Sequence, residues 1–100
     1  MDYLDEQRLV IDEIDSQLVE LFEKRMNVSE KIALFKYQNS IPVVDSKREQ
    51  EVINRNILKL KDKSFEDEAQ EFFKSLIEIS RKHQYKSILS LDKHSRKLHN

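Results

Sequence analysis

Glycine is absent from this 100-residue chain, cysteine and tryptophan are absent too, and proline occurs once. Each gap removes a class of protein. Without cysteine there is no disulfide framework and no thiolate metal site. Without glycine, the phosphate-cradling loops of nucleotide-binding proteins cannot form. No apolar run is long enough to span a bilayer, and the opening "MDYLDEQRLV" has no signal-peptide pattern. A soluble cytoplasmic protein is therefore expected. Charge of one sign is also in short supply, since 18 Lys and Arg face 19 Asp and Glu for a net −1. Such a balance exerts no global pull on nucleic acid or an anionic membrane. Any recognition of an anion must come from local placement of cations. His83, His94 and His99 show no metal-ligand spacing and are expected to face solvent, and neither a metal nor another cofactor is expected.

The residues that are present describe helices. From Leu4 to about Gln38 nothing interrupts a helical pattern, and Leu4, Ile11, Ile14, Leu18, Leu21, Phe22, Val28, Ile32 and Phe35 recur three and four residues apart. A helix of that length is roughly 52 Å long, whereas a compact domain of this size has a radius of gyration near 13 Å. The chain cannot wrap such a rod. The spacing therefore predicts a homodimer with the long helices packed together, antiparallel to one another. A monomeric hairpin with a protruding arm is the alternative.

Pro42 ends the first helix, because it lacks an N–H and biases Ile41 away from helical angles, so "NSIPVV" is a loop. Asp45 or Ser46 caps a second helix, with Ser46 and Glu49 in capping-box spacing. It runs to about Leu60 with Val52, Ile53, Ile57 and Leu60 inward. A third helix, capped by Ser64 and acidic in its first turn, runs to about Leu89. It buries Ala69, Phe72, Phe73, Leu76, Ile77 and Ile88. One domain over residues 1–90 is expected, followed by a polar, frayed tail over 91–100 in which Lys93, Arg96 and Lys97 are solvated.

The informative residues break the apolar stripes from inside. Arg25 and Lys36 are eleven residues apart on the strip of Ile11, Leu18 and Ile32, a rotation of about 20°. Two cations thus point the same way from within the core face. On the third helix, Ser80 and Gln84 share the strip of Ala69, Phe73, Ile77 and Ile88. Each has a bland reading: a long cation can snorkel, and Ser or Gln can bond backbone or water. Four on inward faces of two helices call for a common partner, namely a small, polar, negatively charged ligand. Arg48 adds to this, since a cation at a helix N-terminus faces the positive end of the dipole. Its bland reading is local pairing with Asp45 or Glu51. Beside it, Glu49 supplies an acceptor for a hydroxyl. Arg8 lies about 25 Å from Arg25 along the helix, too far for one ligand to touch both. In an antiparallel dimer Arg8 of one chain reaches the site of the other.

Over residues 4–89 the chain resembles the all-helical, type II chorismate mutases. The likeness rests on Arg8, the run "IDEIDSQLVELFEKR" ending in Arg25, Lys36, the segment "PVVDSKREQEV", and "SRKHQ" from Ser80 to Gln84. The polar connection between the second and third helices is the one departure. The resemblance implies an all-α fold of three helices per chain, one very long and N-terminal, forming an intertwined helical homodimer. It implies an isomerase that converts chorismate to prephenate, toward phenylalanine and tyrosine, without metal or covalent catalysis. By position, Arg25, Lys36, Arg48 and the other chain's Arg8 would hold the two carboxylates and the ether region, with Ser80 assisting one carboxylate. Asp45 and Glu49 would position the ring hydroxyl, and Lys36 and Gln84 would meet the ether oxygen.

The inventory suits that chemistry on its own terms. An intramolecular [3,3] shift needs a chair-like conformer held in place and stabilisation of separating charge, with no nucleophile or proton transfer. Two rival readings remain: an isochorismate pyruvate lyase of the same fold, which Glu49 argues against, and a non-catalytic helical dimerisation or regulatory module, which leaves the inward cations unexplained. Gln84 generates a direct prediction, because an amide donates at any pH. A Gln84→Glu variant is expected to gain activity as pH falls and its carboxyl protonates. A pH-flat variant would show that this side chain does not face the ether oxygen.

Overall fold

The protein is described here by a computed structural model covering the backbone of residues 2–99 and the side chains of residues 2–94. It contains three α-helices, α1 (Tyr3–Gln38), α2 (Ser46–Ile57) and α3 (Glu66–His99), with one 3-10 turn at Lys63–Phe65 before α3. No strand occurs among the described residues.

The first helix runs unbroken for 36 residues. Asp2 opens it, its carboxylate accepting from the Asp5 N–H at 2.8 Å, as an N-cap should. Its end is a Schellman turn: the Ile41 N–H donates to the Lys36 carbonyl at 2.9 Å and the Ser40 N–H to Tyr37 at 3.5 Å. In a chain without glycine the left-handed position falls to Ser40, at φ 55°. That choice costs about 1–2 kcal/mol relative to a right-handed conformation. Pro42 follows and forbids any return to helix.

Helix α2 is capped by Asp45, whose Oδ1 accepts from the Arg48 N–H at 3.0 Å. Glu49 does not close a capping box with Ser46, because the cap is Asp45 and Ser46 is already the first helical residue; Glu49 bonds Arg81 on α3 instead. The helix stops at Ile57, short of the expected Leu60. The Lys59 and Leu60 N–H groups bond three residues back, to Asn56 and Ile57, so the last turn tightens out of α geometry. Leu60 still turns inward to a half-buried position.

The expected Ser64 cap of the third helix is not formed. Asp62 caps the 3-10 turn instead, accepting from the Ser64 hydroxyl at 2.6 Å and the Ser64 N–H at 2.9 Å. Those two bonds, the hydroxyl first, hold its carboxyl below the ordinary range. Helix α3 also continues past the expected end at Leu89 to His99, so the backbone of 91–99 is helical rather than frayed. Nothing in that segment breaks a helix. The Tyr37 hydroxyl ties it down by donating to Asp92 Oδ1 at 2.9 Å. Lys93 and His94 are exposed, as expected. His83 is not: it is half-buried, with Nε2 at 2.6 Å from Glu30 Oε1. The side chains of Arg96, Lys97 and His99 lie outside the described residues.

A constant register joins α1 and α3. The bonds Arg25–Ser80, Ser29–Gln84 and Tyr37–Asp92 all link residues 55 apart in sequence. The two helices therefore run parallel and pack directly on each other, and α2 returns against α3. Residues of α1 before position 11 have no counterpart on α3 and project as an arm. The molecule measures 64 × 32 × 15 Å with a radius of gyration of 18.1 Å, against the 13 Å or so of a compact domain this size. Among the described residues, Ala33 and Ile53 are the only buried apolar side chains. Leu4, Ile11 and Leu18 remain 54%, 54% and 47% exposed, and the other α1 stripe residues are similarly open. Val52, Ile53 and Ile57 of α2 do face inward, as do Ala69, Phe73, Leu76, Ile77 and Ile88 of α3, whereas Phe72 is exposed.

The Tyr37–Asp92 bond links α3 past residue 90 to the end of α1. Replacing Tyr37 with Phe is expected to lower unfolding stability by about 1 kcal/mol, the usual net worth of such a bond. Urea denaturation checks this, and an unchanged midpoint would leave the bond without structural weight.

Candidate active site

The three helices line a cavity of about 430 Å³ that is open on one side to solvent. From α1, Arg25, Ser29, Ile32 and Lys36 reach it, which is the strip a helix makes at four, seven and eleven residues. The loop supplies Val43, and the first turn of α2 supplies Asp45, Arg48 and Glu49. From α3 come Ile77, Ser80, Arg81 and Gln84, again one face. Seven of the eight site residues expected from the sequence line this single hollow. Arg8 does not: it sits exposed on the projecting arm.

The polar contacts define the electrostatics. Arg25 is half-buried and its Nη1 donates to the Ser80 hydroxyl at 2.7 Å. Ser80 is itself buried, with 7% of its surface in water. Lys36 Nζ donates to the Val43 carbonyl at 3.0 Å, tying the loop to the end of α1. Both cations thus bond to neutral acceptors. Arg48 contributes its backbone N–H to Asp45, but its guanidinium is paired with neither Asp45 nor Glu51. Among the described residues no carboxylate lies within ion-pair distance of Arg25, Lys36 or Arg48. The one ion pair in the cavity wall joins Arg81 Nη1 to Glu49 Oε1 at 2.8 Å.

Four cations against two carboxylates leave the cavity wall with an excess of two positive charges, in a chain whose net charge is −1. Burial acts on this directly by pushing the Arg25 pKa below its ordinary value. A base whose folded pKa is depressed weakens the fold wherever it is charged in the unfolded chain, so the penalty persists through neutral pH and ends only in strong alkali. An anion brought to the guanidinium would reverse the sign of that effect. What the arrangement can do chemically is bind a small dianion and donate hydrogen bonds into it. Among the described residues no cluster of His, Asp or Glu could hold a metal ion.

Gln84 is placed as expected but engaged differently. It is buried, and its Nε2 donates to the Ser29 carbonyl at 3.0 Å and the Ser29 hydroxyl at 2.9 Å. Donation to a ligand therefore requires the Ser29 hydroxyl to turn and release an N–H. Ser29 and Arg81 were not among the expected site residues. Ser29 lies four residues after Arg25, and Arg81 four after Ile77 and three before Gln84, so helical spacing alone could have found both. The Val43 carbonyl carries no such signal, being backbone in a loop.

A second hollow, about 590 Å³, opens along the uncovered stripe of α1, where Leu18, Phe22, Phe72, Leu76 and Ile79 line it with almost no polar surface. It can take apolar side chains but offers little to an anion. No helix among the described residues is long and apolar enough to cross a membrane.

A family model described as chorismate mutase type II matches residues 7–85, a span that includes all eight expected site residues. No curated protein and no solved structure matches the chain.

Proposed function

The chain belongs to the chorismate mutase type II family, and from that premise we propose that it is an isomerase converting chorismate to prephenate. The observation that carries this reading is the set of three cations, Arg25, Lys36 and Arg48, that share one hollow without a carboxylate partner. Chorismate brings two carboxylates, which matches the excess charge of the wall.

In the rearrangement the ether C–O bond breaks as a C–C bond forms between the two ends of the same molecule. Electrons move around a six-membered ring of atoms, and nothing is oxidised, reduced or released. The protein must therefore choose a conformer and stabilise charge. Arg25 and Arg48 hold the carboxylates, with Ser80 steering Arg25 through its hydroxyl. Lys36 and Gln84 meet the ether oxygen as negative charge grows there. Lys36 exchanges its weak carbonyl bond for an ionic one, so the interaction strengthens along the reaction rather than before it. Glu49 and the Asp45 segment accept the ring hydroxyl.

The site is completed by a second copy of the chain. Support comes from the uncovered α1 stripe, since each leucine-sized side chain buried there contributes about 1.5–3 kcal/mol. A homodimer that packs the two long helices antiparallel would carry Arg8 of the partner subunit across the gap that separates it from Arg25 within one chain.

The deciding experiment follows chorismate by its absorbance. The wild type is expected to consume it without releasing pyruvate, and Lys36→Ala is expected to lose about 10²–10³-fold in kcat. Arg8→Ala and Arg25→Ala, each nearly inactive, are expected to regain activity when mixed, because mixed dimers hold one intact site. An inactive wild type, or a Lys36→Ala variant as active as wild type, would overturn the assignment. Pyruvate release would point to the lyase instead.

A further inference from the structure

Arg81 is the one cation in the cavity wall that already has a carboxylate. Its bond to Glu49 is the only side-chain bond between α2 and α3 among the described residues. Neither side chain is freely hydrated, at 33% and 26% exposure, so the pair is stronger than an ordinary surface ion pair. Glu49 also sits in the first turn of α2, where the helix dipole favours a carboxylate.

The geometry leaves the carboxylate half committed. Oε1 takes the guanidinium, Oε2 has no donor among the described residues, and Glu49 lines the cavity. A carboxylate anchored by one oxygen presents the other in a single direction, as an acceptor for one hydroxyl needs. The alternative states of Glu49 are close at hand. Arg48 is its neighbour in sequence, and Arg25 and Lys36 share the hollow, all without counterions. Unrestrained, Glu49 would swing to one of them and neutralise a charge meant for the ligand.

We propose that Arg81 is a positioning residue, which holds Glu49 by Oε1 so that Oε2 receives the substrate's ring hydroxyl and the carboxylate stays off the anion-binding cations. This inference rests on the chorismate reading. Arg81 touches no reacting atom in it and acts through Glu49 alone.

The test is a double-mutant cycle on Arg81→Met and Glu49→Ala, with kcat and KM measured separately and urea midpoints recorded for each variant. Arg81→Met alone is expected to lower kcat/KM about tenfold or more, since a misplaced contact costs heavily in a site that works by orientation. In the Glu49→Ala background the same change is expected to add less than about twofold, the mark of two residues acting as one unit. Arg81→Lys, which keeps a cation in reach, is expected to restore most of the loss, and it covers the case in which Met at this position unfolds the chain. A substrate analogue without the ring hydroxyl is expected to lose less than chorismate does on Arg81→Met, keeping only the part of the loss that comes from Glu49 swinging onto the cations. Multiplying losses, or an analogue as sensitive as chorismate, would overturn the inference while leaving the function standing. A wild type that leaves chorismate untouched would overturn both.

Discussion

Arg25 bonds to a neutral hydroxyl where a carboxylate would ordinarily be found, half out of water, in the wall of a cavity with two more cations that also lack counterions. An ion moved fully out of water costs several kcal/mol unless it is paired, and partial burial takes a share of that. A small helical protein has little stability to spare. The charges persist because the surrounding bonds are satisfied: the Ser80 hydroxyl, the Val43 carbonyl and the Asp45 cap each use one polar group without cancelling a charge. Every buried side-chain nitrogen and oxygen among the described residues has a partner. The cavity is thus electrostatically unfinished but not structurally strained, with an excess of positive charge that a dianion would balance.

The constant offset of 55 residues between α1 and α3 is what assembles it. Helical strips have fixed direction only relative to their own axis, so Arg25 and Lys36 converge with Ser80 and Gln84 only if two helices hold one register. Paired bonds at three levels along the parallel helices maintain that register, and Arg81–Glu49 brings α2 onto the same frame. The rest of α1 is left with an open apolar face. The site and the uncovered stripe are two ends of one economy: a chain this short cannot enclose both a charged hollow and a conventional core.

The fold was largely legible because its signals are local. Unbroken apolar spacing without glycine marked α1, Pro42 marked the loop, and Arg25, Lys36, Ser80 and Gln84 stood out by interrupting their own stripes. What escaped depended on contacts between distant residues. The extension of α3 beyond Leu89 lacks apolar periodicity and is anchored by a tyrosine on another helix. The Asp62 cap displaced Ser64 because the carboxylate two residues upstream accepts from both the Ser64 N–H and the Ser64 hydroxyl, which turns that hydroxyl away from the helix start. His83, expected in solvent, found Glu30 across the helix interface. Arg81 reads as an ordinary surface cation until α2 is laid against it. Arg8, named from spacing and resemblance, lies away from the cavity in one chain, as its distance along α1 requires.

The central claim is that unpaired cations, rather than shape or grease, make this hollow a site. Calorimetric titration with a rigid bicyclic dicarboxylate ether, built to resemble the chair-like transition state, tests it most directly. One molecule is predicted to bind per chain, with affinity falling at least tenfold in Arg25→Met and weakening as salt is raised. Affinity unchanged by that substitution, or no binding by a folded wild type, would contradict the account.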